Sequence, residues 1–94
     1  VQTCALPIWQ LAAAFDRLAA RLTSDDWAHG DLKPENIVVD PSGRLHLIDL
    51  DAMRQHAGQA AFARAYARDR ARFLRNWPAE SALHRLLDER LPRL

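Results

Sequence analysis

Four polar residues stand at spacings that suit chemistry on a phosphate. Asp31, Lys33 and Asn36 fall inside the stretch HGDLKPEN, residues 29–36, and Asp49 follows the apolar pair Leu47-Ile48. Phosphoryl transfer asks little covalent help of a protein. It needs a carboxylate to take or orient the proton of the attacking hydroxyl, positive charge on the phosphates, and oxygen ligands for the magnesium that bridges them. Two acids, an amide and a lysine meet that need if the chain folds Asp49 back beside the loop. One Asp in a loop commonly does no more than cap a turn. The set of four is what points to chemistry.

The elements around them provide for that fold-back. Gly30 permits unusual backbone angles and Pro34 lacks an amide donor, so 29–36 reads as a shaped loop rather than helix or strand. Ile37-Val38-Val39 is short and β-branched, Pro41-Ser42-Gly43 is a turn signal, and Leu45 to Leu50 is a second apolar segment, so the pair reads as a β-hairpin. Before the loop, Leu11, Ala12, Phe15, Leu18, Ala19 and Leu22 recur at three- and four-residue steps, which predicts an amphipathic helix from Trp9 to Leu22, broken by Ser24, Asp25 and Asp26. Beyond Gly58 a second helix carries Phe62, Tyr66, Phe73, Leu74 and Trp77 on one side and Arg64, Arg68, Arg72 and Arg75 mostly on the other. Pro78 is expected to end it and to open a third, with Leu83, Leu86, Leu87 and Leu91 as its apolar stripe.

Position by position, the loop and the hairpin resemble the protein-kinase superfamily, whose catalytic loop reads H-x-D-x-K-x-x-N and whose magnesium motif D-x-G or D-x-D follows the intervening hairpin. The resemblance implies a catalytic base at Asp31, charge neutralisation on the transferring phosphoryl by Lys33, and magnesium held between the phosphates of ATP by Asn36 and Asp49. Lys33, Asn36 and Asp49 would thus be the cofactor-binding residues, with His29 supporting the loop and the Asp49 turn. The match is good from Trp9 to Met53 and weaker beyond.

Three departures narrow the class. Gly30 replaces the arginine that usually pairs with a phosphorylated activation loop. Asp51 stands where protein kinases usually have Gly, so it is either a further metal ligand or solvent-facing. No A-P-E segment occurs, and helix is expected within about ten residues of Asp51. With HGDLKPENIVVD, LHLIDLDAM and RDRARFLRNW, the chain resembles bacterial lipopolysaccharide core kinases of the 3-deoxy-manno-octulosonate and heptose type. That resemblance implies a lipid-linked sugar acceptor and peripheral contact with the cytoplasmic face of the inner membrane. A Ser/Thr protein kinase, favoured by Lys33-Pro34-Glu35, is the second expectation, and a non-catalytic interaction piece the third.

The Gly-rich loop, strand lysine and helix glutamate that grip ATP in such enzymes are absent: Gly30, Gly43 and Gly58 occur singly, and Lys33 is the sole lysine. The expected fold is therefore α+β, a partial kinase-like C-terminal lobe over 9–94, mainly helical with one catalytic-loop hairpin and inactive alone. Residues 1–8, VQTCALPI, fit poorly with the rest of the chain and resemble translated adaptor or linker sequence.

A chain of 94 residues leaves room for one domain at most. The apolar fraction of 49% and charged fraction of 27% exclude disorder throughout. Cys4, the only cysteine, allows no internal disulfide and gives no zinc spacing with His29, His46, His56 or His84, and a reducing cytoplasm fits best. Net charge is +1, yet nine Arg after Met53 face only Asp69, Glu80, Asp88 and Glu89. The basic helix could meet anionic lipid headgroups, at about 1 kcal/mol per residue, though a solvated face is the preferred expectation. Without interleaved aromatics it does not suit nucleic acid. For Asp69 the family resemblance offers an anchor for the catalytic-loop backbone. The preferred expectation is an exposed partner for neighbouring Arg at helical spacing, worth a few tenths of a kcal/mol.

Overall fold

The computed structural model describes residues 7–94. The adaptor-like stretch 1–8 thus lies outside the described residues except for Pro7 and the backbone of Ile8. Helix α1, Ile8–Ser24, starts one residue before the expected Trp9, because the Pro7 carbonyl takes the amides of Gln10 and Leu11, both at 3.0 Å. Leu11, Ala12, Ala14, Phe15, Ala19 and Leu22 are its buried face. It stops where Thr23 and Ser24 turn their hydroxyls back onto the Ala19 and Arg21 carbonyls, followed by Asp26 at a left-handed φ of 59°.

The architecture is a small α+β domain: three helices and two small antiparallel sheets among the described residues. The expected hairpin is present as β2, Ile37–Val39, and β3, Leu45–Leu47, paired Ile37 to Leu47, Val38 to His46 and Val39 to Leu45. Its second strand is shorter than the apolar run 45–50 because Asp49 takes φ 56° and ψ 69°, which cannot continue a ladder. The other sheet has no counterpart among the sequence expectations. It joins β1, Trp27–Ala28, to β4, Arg54–Gln55, and is extended by the His56 amide on the Asp26 carbonyl at 2.9 Å.

Asp40 holds the hairpin turn. One carboxylate oxygen accepts from the amides of Ser42 and Arg44 at 2.9 and 3.0 Å and from the Ser42 hydroxyl at 2.6 Å, while the other meets His46 Nε2 at 2.7 Å. The bond to His46, then those to Ser42 and Arg44, hold the Asp40 carboxyl well below the usual carboxylate range.

Helix α2 spans Gln59–Leu74 and α3 spans Ala82–Arg90. Contrary to the sequence expectation, Pro78 neither ends α2 nor opens α3. Asn76 places its backbone and side-chain amides on the Phe73 carbonyl, at 3.2 and 2.9 Å, and stops α2 before Pro78 arrives. The cap of α3 is Ser81, whose hydroxyl accepts from the His84 amide at 3.1 Å. The core unites the three helices with the loop and the hairpin: Leu11 and Phe15, Leu32, Ile37, Phe73 and Leu74, and Leu87 and Leu91 pack together. Phe73 is fully buried, 5.6 Å from the Phe15 ring and edge-on to Trp77 at 5.0 Å. Arg70 is no surface residue: its guanidinium bonds the carbonyls of Leu91 and Asp88 at 2.8 and 2.7 Å and pairs with the Asp88 carboxylate, tying α2 to α3.

Tyr66 is buried against Phe62, and its hydroxyl makes no hydrogen bond among the described residues. Burial pushes its pKa up to about 12. Since an unpaired buried hydroxyl stabilises nothing, Tyr66→Phe should leave stability unchanged or raise it by about 1 kcal/mol in urea unfolding. A loss of more than that would reveal a partner for the hydroxyl.

Candidate active site

The loop 29–36 is clamped from beneath by a residue forty positions further on. Asp69 accepts the His29 amide at 2.8 Å and the Gly30 amide at 3.1 and 3.2 Å. It is 6% exposed, so the expected solvent-facing partner of neighbouring arginines is overturned. Helix geometry explains the difference. Asp69 is flanked in sequence by Arg68 and Arg70, but in space it belongs to the stripe Phe62, Tyr66, Asp69, Phe73, at steps of four, three and four. An acid inside an apolar stripe is the signal that identifies it.

Burial raises the Asp69 pKa above the ordinary value, opposed by the Gly30 and His29 amides that favour the carboxylate. Asp40 and Asp69 therefore bias stability oppositely. The depressed Asp40 contributes stability that is present above the unfolded aspartate pKa and is lost as pH falls through its folded value. The raised Asp69 contributes stability that is present below the unfolded pKa and is lost as pH rises through its folded value. Carboxyl carbon NMR titration should place the Asp40 midpoint below, and the Asp69 midpoint above, the ordinary value of about 3.9. The reverse order would refute both environments.

His29 is fully buried and joins the loop to the Asp49 turn. Its Nδ1 takes the Asp31 amide at 3.2 Å, which can only donate, so the ring proton lies on Nε2 and is given to the Ile48 carbonyl at 2.9 Å. The Ile48 amide in turn bonds the Asn36 carbonyl at 2.9 Å. Asp49 is thereby held one residue beyond the point where the hairpin base meets the loop.

Around Asp31 two of the expected residues, Lys33 and Asn36, converge. The Asn36 side-chain amide donates to the Asp31 carbonyl at 2.9 Å and to its carboxylate at 3.4 Å, and Lys33 Nζ is 3.7 Å from the same carboxylate oxygen. Because Asn36 spends its NH2 on Asp31, its Oδ1 is left as an acceptor. Asp49 makes no hydrogen bond or ion pair to Asp31, Lys33 or Asn36; its side chain is exposed. Asp51, on the short 3₁₀ turn Leu50–Ala52, is exposed as well.

Two features of the site lie beyond the sequence expectations. Arg72 of α2 reaches the free oxygen of Asp31, 3.0 Å away, so the carboxylate is flanked by two cations. Gly30, at φ 86°, lies so close to Ala52 that a Cβ would stand 2.6 Å from the Ala52 carbonyl oxygen. Only glycine fits, and that contact presses the loop against the turn after Asp49.

An oxygen of Asn36 and a carboxylate of Asp49 are the hard donors that suit magnesium, an ion that takes one or two carboxylates from protein and its remaining ligands from phosphates and water. No group of three or more His, Cys, Asp or Glu among the described residues could hold a metal by itself. No helix among them is long and apolar enough to cross a membrane. In comparisons with known proteins, no family model, no curated protein and no solved structure matches the chain.

Proposed function

We propose that the chain carries the acceptor and metal side of an ATP-dependent phosphotransferase of the protein-kinase-like superfamily, acting on an alcohol, foremost a sugar of the lipopolysaccharide core. The observation that carries the proposal is the convergence on Asp31. Asn36 and Lys33 reach it from within one loop, and His29 and the Asn36 backbone bring the Asp49 turn alongside through Ile48.

Asp31 takes the proton of the acceptor hydroxyl as its oxygen captures the γ-phosphoryl and ADP departs. Lys33 stands within reach of the same carboxylate and neutralises charge on the phosphoryl in transit. Asn36 and Asp49 would hold magnesium, which when bound supplies charge neutralisation between the phosphates. The Asp69 clamp and the His29 bridge fix the backbone of the loop that carries Asp31, Lys33 and Asn36. Val38, Ile48 and Leu50 present exposed apolar surface along the hairpin and the turn beyond it, which suits covering by the nucleotide-gripping elements that these residues do not include.

Magnesium-ATP titration of the protein tests the proposal. Asp49→Ala should abolish the magnesium-dependent part of nucleotide affinity, and unchanged affinity would reject the assignment. Phosphate transfer to core oligosaccharide, set beside transfer to generic protein acceptors, separates the sugar kinase from the Ser/Thr kinase favoured by Lys33-Pro34-Glu35.

A further inference from the structure

Beside the loop lies a cleft of about 600 Å3, bounded by Gly30 and Ala52 on one wall and by α2 on the other. Four guanidinium-bearing residues line it: Arg68 and Arg72 of α2, Arg75 just past the end of that helix, and Arg54 from β4. His56 lies beside them, and the only acid in the lining among the described residues is Asp69, whose carboxylate is already committed to the His29 and Gly30 amides. Arg54 and Arg75 form no ion pair among the described residues, and Arg72 pairs with Asp31 alone.

Such an arrangement is uneven in charge. Like charges gathered in a concave site raise the local potential and attract counter-charge, more so than the same charges on a convex helix face. Arginine suits the task because its planar fork matches phosphate and carboxylate oxygens in pairs. Two separate elements deliver the arginines here, so a solvated face of α2 does not account for Arg54. A cleft with Gly30 at its wall admits a compact anionic group and does not match a flat bilayer.

We propose that this cleft seats an anionic group of the acceptor, a phosphate monoester or a carboxylate, held by Arg54, Arg68, Arg72 and Arg75, so that a neighbouring hydroxyl lies at Asp31. The assignment of the hydroxyl to Asp31 rests on the phosphotransferase proposal; the anion site itself does not. Arg72 links the two. It lines the cleft while its guanidinium sits 3.0 Å from Asp31, so an arriving anion competes for it and releases a carboxylate oxygen where the hydroxyl proton must go.

The test is an amide NMR titration of the 94-residue chain with inorganic phosphate, with acetate, and with vesicles of mixed anionic and zwitterionic phospholipid, all without nucleotide or magnesium. Saturable shifts at Gly30, Arg54 and along 68–75 are expected with phosphate or acetate, and the stronger of the two names the anionic group. Arg54→Gln and Arg75→Gln, which remove no ion pair among the described residues, should each weaken that binding roughly three- to tenfold. No saturable shift with either anion, or binding untouched by both substitutions, overturns the proposal. Binding to vesicles alone also overturns it, in favour of a membrane-facing surface. Because ATP is absent throughout, the result stands apart from the magnesium-ATP titration of Asp49→Ala.

Discussion

Replacing Asp31 with Asn should lower phosphate transfer by about a hundred- to ten-thousand-fold, the range for losing a general base. The side chain keeps its size, and the backbone groups of Asp31 that bond His29 and Asn36 are untouched, so the loop should hold its shape. Arg72 and Lys33 lose a charged partner, but their side chains are 48% and 34% exposed and remain solvated. Turnover measured alongside magnesium-ATP affinity separates chemistry from binding, with turnover falling and affinity staying level. Near-normal turnover would reject Asp31 as the proposed base.

The largest expected loss of stability attends Asp69→Ala. The substitution leaves the buried His29 amide and the part-buried Gly30 amide without their acceptor, and an unsatisfied buried donor costs about 1–3 kcal/mol. A loss of about 2–4 kcal/mol is expected by urea unfolding, a large share of what a domain this small possesses. Asp69→Asn keeps one acceptor oxygen and should fall between the two. A loss below about 0.5 kcal/mol in the Ala variant, the size typical of surface substitutions, would show that the two amides reach water unaided.

The parts of this fold that are legible in the sequence are those with local rules. The periodic apolar residues of α1 mark its extent to within about two residues at either end, and the β-branched run with its Pro-Ser-Gly turn marks the hairpin. The gathering of Asp31, Lys33 and Asn36 is legible because all three sit within one loop. What escapes is set by distance along the chain. Strands β1 and β4 have two residues each, too few to show alternation, and owe their pairing to partners far away in sequence. Asp69 reads as exposed from its arginine neighbours, although its helical position places it among aromatics. Arg72 cannot be assigned to Asp31 without knowing how α2 crosses the loop. Pro78 is the stronger helix breaker in sequence, yet Asn76 has already intercepted the Phe73 carbonyl and ended α2.

The Asp69 clamp also bears on the order in which the molecule assembles. Its partners at His29 and Gly30 are separated from it by 40 and 39 residues, and closing a loop of that length costs about 3 kcal/mol of chain entropy. The motif-bearing loop is thus complete in covalent terms long before it has a shape. During synthesis residues 29–36 emerge first, and the clamp on them can close only once Asp69 of α2 has been made. The clamped form of the loop is thus inherited from a helix, Gln59–Leu74, that the chain supplies well after the loop has ended.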